Sequence, residues 1–533
     1  MEEPAMYKVM IRDNMSPKAK EILEQTGQIE VVVDNDKATS DPKILASFIH
    51  EFHGLGVRSG TKVTAELFEK ASNLKVVGRA GIGVDNIDVA SATDRGIVVM
   101  NAPGGNTVTT AEHAVSLMLA LARNIPQATA SIRAGKWEKK KFMGVEIEGK
   151  NLGIIGLGQI GRVVASRAQG LGMKVMAADP YVTKEAARSM GVELVLLDDL
   201  LSRADFITLH VPRLEETRNL VRKETLEKMK PGVRIINCAR GEVVNMEDLY
   251  EALLGGHVAG AGLDVFPQEP PDFALPIFQH PNVIFTPHLG ASTGEAQEKV
   301  AAMTARQIAG YLLDGIIINA VNFPSISTEV MDQLRPHISL AERMGAFLGQ
   351  MVREPHDINI TYGGYVTEFD TRVLTRAALK GLLDSFTDVP VNYVNAPALA
   401  KNKGIGVEET ISQQKEDYMI RIKLPGYQDE LNEIWGTIFA RKYQRLIRLG
   451  RIDMDAIPEG SLIVVQSADQ PGVVGHIGMT LAKHSTNIAR FQAGRREGKS
   501  VCVINIDSPV DDQVMEELRA LPHVTSARRV RIL

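Results

Sequence analysis

Three residues of this chain, Arg240, Glu269 and His288, are of the types that together move a proton and a hydride. They sit in NCARGEVV, GLDVFPQEPP and TPHLGAST, each of which follows a short run of apolar residues. A secondary alcohol gives up a hydride only as its hydroxyl proton leaves, so a base titrating near neutrality is needed, and imidazole suits. A carboxylate on the other ring nitrogen fixes the tautomer and favours the imidazolium. A guanidinium grips a substrate carboxylate through two parallel donors. Taken singly, each residue has a plainer reading: a surface arginine, a loop carboxylate beside prolines, a structural histidine. Their shared placement at strand ends is what points to chemistry, because open α/β sheets bind ligands there.

A second motif supplies the partner for a hydride. LGIIGLGQIG places Gly156, Gly158 and Gly161 after an apolar strand and at the start of a helix. The first glycine permits the tight turn, the second lets backbone approach a pyrophosphate, and the third lets helix and strand pack closely. The next strand, KVMAADP, ends in Asp179. An acidic side chain there accepts hydrogen bonds from a ribose diol and repels a 2′-phosphate, which favours NAD over NADP.

These residues need two parallel sheets to position them. YKVMIRDN, IEVVVDN, HGLGVRS, LKVVGRAG and GIVVMNAP read as strands, with helices such as Pro17–Gln25 and Thr64–Ala71 between them. A longer helix is expected from Thr110 to Arg123, with Thr109 and Glu112 as a capping box and Ala114, Leu117, Met118 and Leu121 on its buried face. From Asn151 the strand–helix alternation restarts. Beyond Asn322 the pattern changes to long helices, Met331–Val352 and Thr371–Phe386, with irregular strands between them. The last 70 or so residues read βαββαβ, a ferredoxin-like order, after a linker at Ile457–Ser461.

A chain of 533 residues suggests roughly three or four domains. Its net charge of −5 offers no broad cationic field, so no nucleic-acid partner is expected. No apolar stretch approaches the ~20 residues a membrane span needs, and the acidic start MEEPAMYKVM lacks the form of a signal peptide. Two distant cysteines, Cys238 and Cys502, imply neither a disulfide framework nor a metal site, and fit a reducing cytoplasm.

Taken together, GLGQIG with Asp179, NCARGEVV, GLDVFPQEPP and TPHLGAST resemble the signature set of the D-isomer specific 2-hydroxyacid dehydrogenases, across about residues 5 to 325. The resemblance implies Arg240 as carboxylate binder, His288 as acid/base and Glu269 as its partner. It implies NAD contacts at Gln159, Ile160, Asp179, Cys238, Ala239, Arg240, Asp264, Leu289, Gly290 and Ala291. The architecture it implies is α/β: a flavodoxin-like substrate lobe of residues 1–103 and 294–326, and a Rossmann NAD lobe of 104–293. An α+β intervening domain follows at 327–456, then a C-terminal module at 461–533 that resembles the ACT domain.

Substrate choice turns on GVRSG, with Arg58 and Ser59 at a strand end, GRAGIGVDN, with Arg79, Gly81 and Gly83, and NAPGGNT, with Asn101 and Asn106. Such turns cradle a carboxylate or phosphate through amides and a guanidinium. They also suit ordinary loops with solvated arginines, and on the residues alone both readings stand. VRS, VVGRAG, GVDNID, NAPGGNT and KWEKKKFMG resemble the phosphoglycerate dehydrogenases, the long branch of the family, and the extra C-terminal length agrees. The expected reaction is then oxidation of 3-phospho-D-glycerate, the entry into serine synthesis. Other readings share the core motifs: a glyoxylate or hydroxypyruvate reductase, or a non-catalytic NAD-sensing regulator. The basic runs Arg133–Phe142 and Ala440–Arg451 read first as solvated faces. The first also suits an arm toward a neighbouring subunit's substrate.

ADQPGVVGHIG and NIARFQAGR carry the ACT resemblance, which implies an amino-acid effector held between paired modules, with Asp469 and Asn487 as candidate contacts. A carboxylate at Asp469 opposes binding of serine through its own carboxylate. A homodimer or homotetramer is expected.

Overall fold

The structure, a computed structural model, describes residues 6–36, 38–326, 328–352, 355–413, 417–427 and 430–532. Its first sheet holds β1 (Tyr7–Ile11), β2 (Ile29–Val33), β3 (Gly54–Val57), β4 (Val76–Arg79) and β5 (Val98–Asn101), all parallel, in the order β2-β1-β3-β4-β5. That is the flavodoxin-like order, whose direction reverses between β1 and β3. The chain leaves each of those strands into a loop that matters below: Arg12–Asp13 after β1 and Arg58–Ser59 after β3.

The second sheet holds β6 (Asn151–Ile155), β7 (Lys174–Ala178), β8 (Glu193–Leu194), β9 (Phe206–Leu209), β10 (Val233–Asn237), β11 (Val258–Leu263) and β12 (Val283–Phe285). Its order, β12-β11-β10-β9-β6-β7-β8, is parallel throughout and reverses between β6 and β9. Strands buried on both faces read as continuous Val/Ile/Leu runs, which is why NLGII and FITL were legible. The chain crosses between the two lobes twice, through the turn 102–106 and at the start of the helix Gly294–Asp314, which packs back on the first sheet.

The helix expected from Thr110 begins a turn earlier, at Thr107, and runs to Ala122. Asn106 is its N-cap and makes no side-chain capping bond, so the Thr109–Glu112 box does not form. Tertiary bonds use the threonines instead: Thr110 donates to the Gly290 carbonyl at 2.9 Å and Thr109 meets Thr293 at 3.4 Å.

Residues after 327 form a six-stranded mixed sheet, more regular than the sequence pattern suggests. It contains β13 (Asp357–Tyr362), β14 (Gly406–Ile411), β15 (Ile420–Lys423), β16 (Glu433–Phe439), β17 (Tyr443–Leu449) and β18 (Ile452–Ala456), in the order β14-β13-β15-β16-β17-β18. Helices Thr328–Met351 and Arg372–Asp384 cover it, and they touch where Gly381 faces the Glu342 carbonyl: a Cβ there would lie 1.9 Å from that oxygen.

The last sheet is β19 (Gly460–Ala468), β20 (Ile488–Arg496), β21 (Lys499–Ile506) and β22 (Val524–Ile532), ordered β20-β21-β19-β22, with helices Val473–Lys483 and Asp512–Arg519 on one face. Its other face, including Leu462, Val464, Val501, Val503, Val530 and Ile532, is buried in the core that the 328–456 region builds. The segment read as a linker is therefore a tight joint. Only 457–459 separate β18 from β19, and Asn505 donates to the carbonyls of Ile457 and Glu459.

Candidate functional site

The glycine turn after β6 has the shape a dinucleotide needs. Gly156 has φ +95°, and a Cβ there would sit 2.5 Å from the His210 carbonyl; one on Gly161 would sit 2.2 Å from the Gly156 carbonyl. A Cβ on Gly158 would meet nothing within 4 Å, so this face of the turn is open to a ligand. The helix Gln159–Gly170 starts without a side-chain cap, leaving its first amides to bind phosphate. Asp179 caps the turn from the next strand: its two oxygens accept the amides of Leu157 and Tyr181, both at 2.8 Å, and a carboxylate retains further lone pairs for a ribose. Gln159 accepts from Thr107 at 3.3 Å, tying the turn to the lobe crossing. His210, at the end of β9 beside the turn, escaped sequence reading. It is held neutral by burial, its pKa pushed down to about 4, and its Nδ1 is buried with no partner among the described residues. Open space over Gly158, uncapped amides and an unmatched polar atom all fit a bound dinucleotide.

At the other strand ends, His288 Nδ1 lies 2.7 Å from Glu269 Oε2. Partial burial pushes the Glu269 carboxyl up, but the His288 hydrogen bond and charge and the Phe266 amide outweigh it and hold the group below its ordinary value. His288 has φ +54°, a left-handed conformation that a side chain pays for in strain. Asp264 holds it there. Its carbonyl accepts the His288 amide at 2.9 Å, and its carboxylate accepts the amides of Leu289 at 2.7 Å and Gly290 at 2.9 Å. The same carboxylate accepts from Thr286 at 2.6 Å and pairs with His113 at 3.1 Å. These bonds give the expected cofactor contacts a structural role as well. Asp264 is fully buried and supports the turn, and the Leu289 and Gly290 amides are already engaged; only the Leu289 side chain, 40% exposed, faces outward. Of His113, Cys238 and Asp264, whose side-chain ligand atoms lie within 4.8 Å of one another, the first and last are joined by these bonds. Cys238 is buried, and burial followed by the Asp264 charge raises its thiol pKa, so it is no nucleophile.

Arginines from both lobes converge on this edge. Arg240 Nε pairs with Asp85 at 3.0 Å and its Nη1 donates to the Ala239 carbonyl at 2.7 Å. Its Nη2 occupies the space beside Gly83, where a Cβ would come within 1.9 Å. Gly81 makes the same room for Arg79, whose Nη1 would be 2.4 Å from a Cβ. Burial pushes Arg79 down to about 10, and the positive charges of Arg240 and Arg58 add to the effect. Asn86 joins the loops: it accepts from Arg79 Nε at 3.1 Å and donates to the carbonyls of Arg58 and Thr61. Asp13 fixes the Arg58 loop by accepting the Arg58 and Thr61 amides. The Arg58 guanidinium has no acceptor among the described residues, and Ser59 is exposed beside it. The Asn101 side-chain amide donates to the Ile82 carbonyl at 2.6 Å and so braces the glycine turn.

Comparison with known proteins agrees with this geometry. Residues 115–290 match the model of the D-isomer specific 2-hydroxyacid dehydrogenase NAD-binding domain. Residues 333–450 match the D-3-phosphoglycerate dehydrogenase intervening domain, and 461–523 the ACT domain. The D-3-phosphoglycerate dehydrogenase of Methanocaldococcus jannaschii is 42% identical over 97% of this chain and 98% of its own length, and that of Bacillus subtilis is 39% identical over 98% and 99%. The chain belongs to the D-3-phosphoglycerate dehydrogenase family. A crystal structure of D-lactate dehydrogenase from Aquifex aeolicus, complexed with NAD and lactic acid, superposes with a TM-score of 0.52 at 28% identity, covering 60% of this chain and all of the other.

Within this NAD-binding enzyme the two candidate effector residues do not meet. β19 and β20 run parallel on either side of β21, so Asp469 follows one end of the sheet and Asn487 precedes the other, roughly 25 Å away by strand rise. Asp469 lies 3.4 Å from Arg495, and Asn487 donates to Asp507 at 2.5 Å. A ligand touching both therefore needs two modules. In the basic arm 133–142, Glu138 accepts from Ser131 at 2.8 Å and pairs with Lys141 at 3.7 Å. In the second basic run, Arg445 and Arg448 are paired with Asp455 and Asp453. No helix among the described residues is long and apolar enough to cross a membrane.

Proposed function

We propose that this enzyme oxidises the C2 alcohol of 3-phospho-D-glycerate to a ketone, the reaction its relatives' names give, as the first step toward serine. One observation carries the reading: the charges of Arg58, Arg79 and Arg240 act on one another across the two lobes, and the turn after Arg240 packs against Phe266, whose amide donates to Glu269, the partner of His288. A substrate with a carboxylate on C1 and a phosphate on C3 presents two anionic ends on either side of its alcohol, and needs cations on both sides of the base.

In this reading Arg240 grips the C1 carboxylate through Nη2, while Asp85 and the Ala239 carbonyl hold its other donors. Arg58 and Arg79 take the phosphate. His288 receives the hydroxyl proton, and Glu269 fixes the tautomer that leaves Nε2 free to accept it and then stabilises the imidazolium. NAD, when bound along Gly156–Gly161 and Asp179, supplies the hydride acceptor. We assign residues 1–103 with 294–326 to substrate, 104–293 to NAD, 327–456 to the intervening unit and 461–533 to effector binding. An amino acid held between modules of a homo-oligomer, in the cytoplasm, completes the proposal; calorimetry with L-serine on the full chain tests the effector.

The catalytic reading is tested by steady-state rates with 3-phospho-D-glycerate, D-glycerate, D-lactate and glycolate. A kcat/KM for the phosphorylated substrate at least about a hundredfold above the others is expected from one lost charge-assisted phosphate site. Equal rates with D-lactate would transfer the chain's activity to another 2-hydroxyacid.

A further inference from the structure

Behind the lobe crossing lies a cavity of about 940 Å³, within the size range of small-molecule sites. Its walls are Lys18, the turn Pro103–Gly105, one face of the Gly294–Asp314 helix including Lys299, Arg306 and Gln307, and the segment that ends in Asn319. Three cations thus face a space whose nearest carboxylate is Glu298; the charges of both Glu298 and Arg306 act on Lys18, which also pairs with Glu21. Gln307 is the decisive residue. It is 7% exposed, and its Oε1 is buried with no hydrogen-bond partner among the described residues. Buried acceptors are almost always matched, so a donor that reaches this one through a small movement of the cavity wall gains a hydrogen bond. The other end of the same amide is committed: Nε2 donates to the Asn101 carbonyl at 3.0 Å.

We propose that this cavity is a second ligand site, for a compact carboxylate that also carries a hydroxyl or ammonium donor, and that its occupancy is felt at the substrate cleft. The carboxylate meets Lys299 and Arg306, and the donor meets Gln307 Oε1. Coupling has a short covalent and hydrogen-bonded route. Asn101, held by Gln307 on its carbonyl and by the Asn319 carbonyl on its amide, braces the Ile82 turn that seats Arg79 and Arg240. The same cavity touches Gly104 and Gly105, where the chain crosses between lobes, and Gly105 already lies against Val300: a Cβ there would be 2.5 Å from its side chain. A ligand that favours one position of this crossing must shift the affinity of the cleft, and reciprocally. This coupling rests on the cleft reading above; the binding itself does not.

Calorimetry on the full-length, NAD-loaded Arg240→Ala variant weakens anion binding at the cleft, and the Lys299→Ser/Arg306→Ser change in the same background separates the two sites. Succinate, L-malate and L-aspartate share two carboxylates and differ only in the donor on C2. L-malate or L-aspartate is expected to bind at one site per chain, at least about tenfold tighter than succinate, and a Lys299→Ser/Arg306→Ser change is expected to weaken it by about tenfold or more. The better of the two identifies the donor as hydroxyl or ammonium. In the otherwise wild-type enzyme, saturating probe should move the KM for 3-phospho-D-glycerate, and the movement should vanish in Lys299→Ser/Arg306→Ser. No binding, binding indifferent to the two surface substitutions, or equal affinity for succinate would overturn the site. Binding that leaves KM unmoved would overturn the coupling, whatever the substrate proves to be.

Discussion

Arg240 and Asp85 meet across the cleft, one from the NAD lobe and one from the glycine turn of the other, with Nε 3.0 Å from Oδ2. With Nη1 donating to the Ala239 carbonyl, the pair leaves Nη2 for the proposed substrate carboxylate. Asp85→Asn is expected to raise the KM for 3-phospho-D-glycerate by about three- to tenfold with little change in kcat, since a half-exposed ion pair contributes about 1 kcal/mol or less to orientation. A lower KM in the variant would mean that Asp85 competes with the substrate carboxylate.

Cofactor choice is expected to follow Asp179. NAD should outperform NADP by more than about tenfold in kcat/KM, because a 2′-phosphate would face a carboxylate already held by the Leu157 and Tyr181 amides. Asp179→Ala should narrow the gap. Equal use of the two cofactors by the unaltered enzyme contradicts the assignment.

The pH profile follows from Glu269. Its folded-state pKa is lowered, so its bond to His288 contributes above the ordinary carboxylate range and is lost only as pH falls through that lowered value. The carboxylate is therefore ionised above the ordinary carboxylate range, and an acidic limb of the rate profile above that range belongs to another group. Glu269→Gln removes the charge that favours imidazolium, so the limb of kcat/KM for oxidation should move to lower pH while kcat falls. A limb that stays in place would remove Glu269 as the partner.

The proposed phosphate contact of Arg58 has a kinetic signature. Arg58→Ala should cost about 2–3 kcal/mol in kcat/KM for 3-phospho-D-glycerate and far less for D-glycerate. Equal losses with both substrates would make its role structural.

Much of this was legible before the fold. The glycine turn and Asp179 announce themselves because a pyrophosphate dictates both residue type and spacing. Arg240, Glu269 and His288 were legible because the apolar runs before Arg240 and His288 locate strand ends, and hydride chemistry dictates the side chains. Asp85 stayed hidden because its partner is 155 residues away and nothing local distinguishes it from a turn aspartate. Asp264 was read as a cofactor contact, and only the folded turn shows that its carboxylate also holds the Leu289 and Gly290 amides, Thr286 and His113. Asp469 and Asn487 lie close in sequence, but the register of β19, β21 and β20 sends them to opposite ends of the sheet.

His288→Ala tests the central claim most directly. Reduction of NAD by 3-phospho-D-glycerate should fall by about 10²–10⁴-fold, the share a positioned base contributes, while NAD binds with nearly unchanged affinity. Near-wild-type turnover in that variant would contradict the assignment of His288 as the base, and with it the proposed chemistry of the cleft.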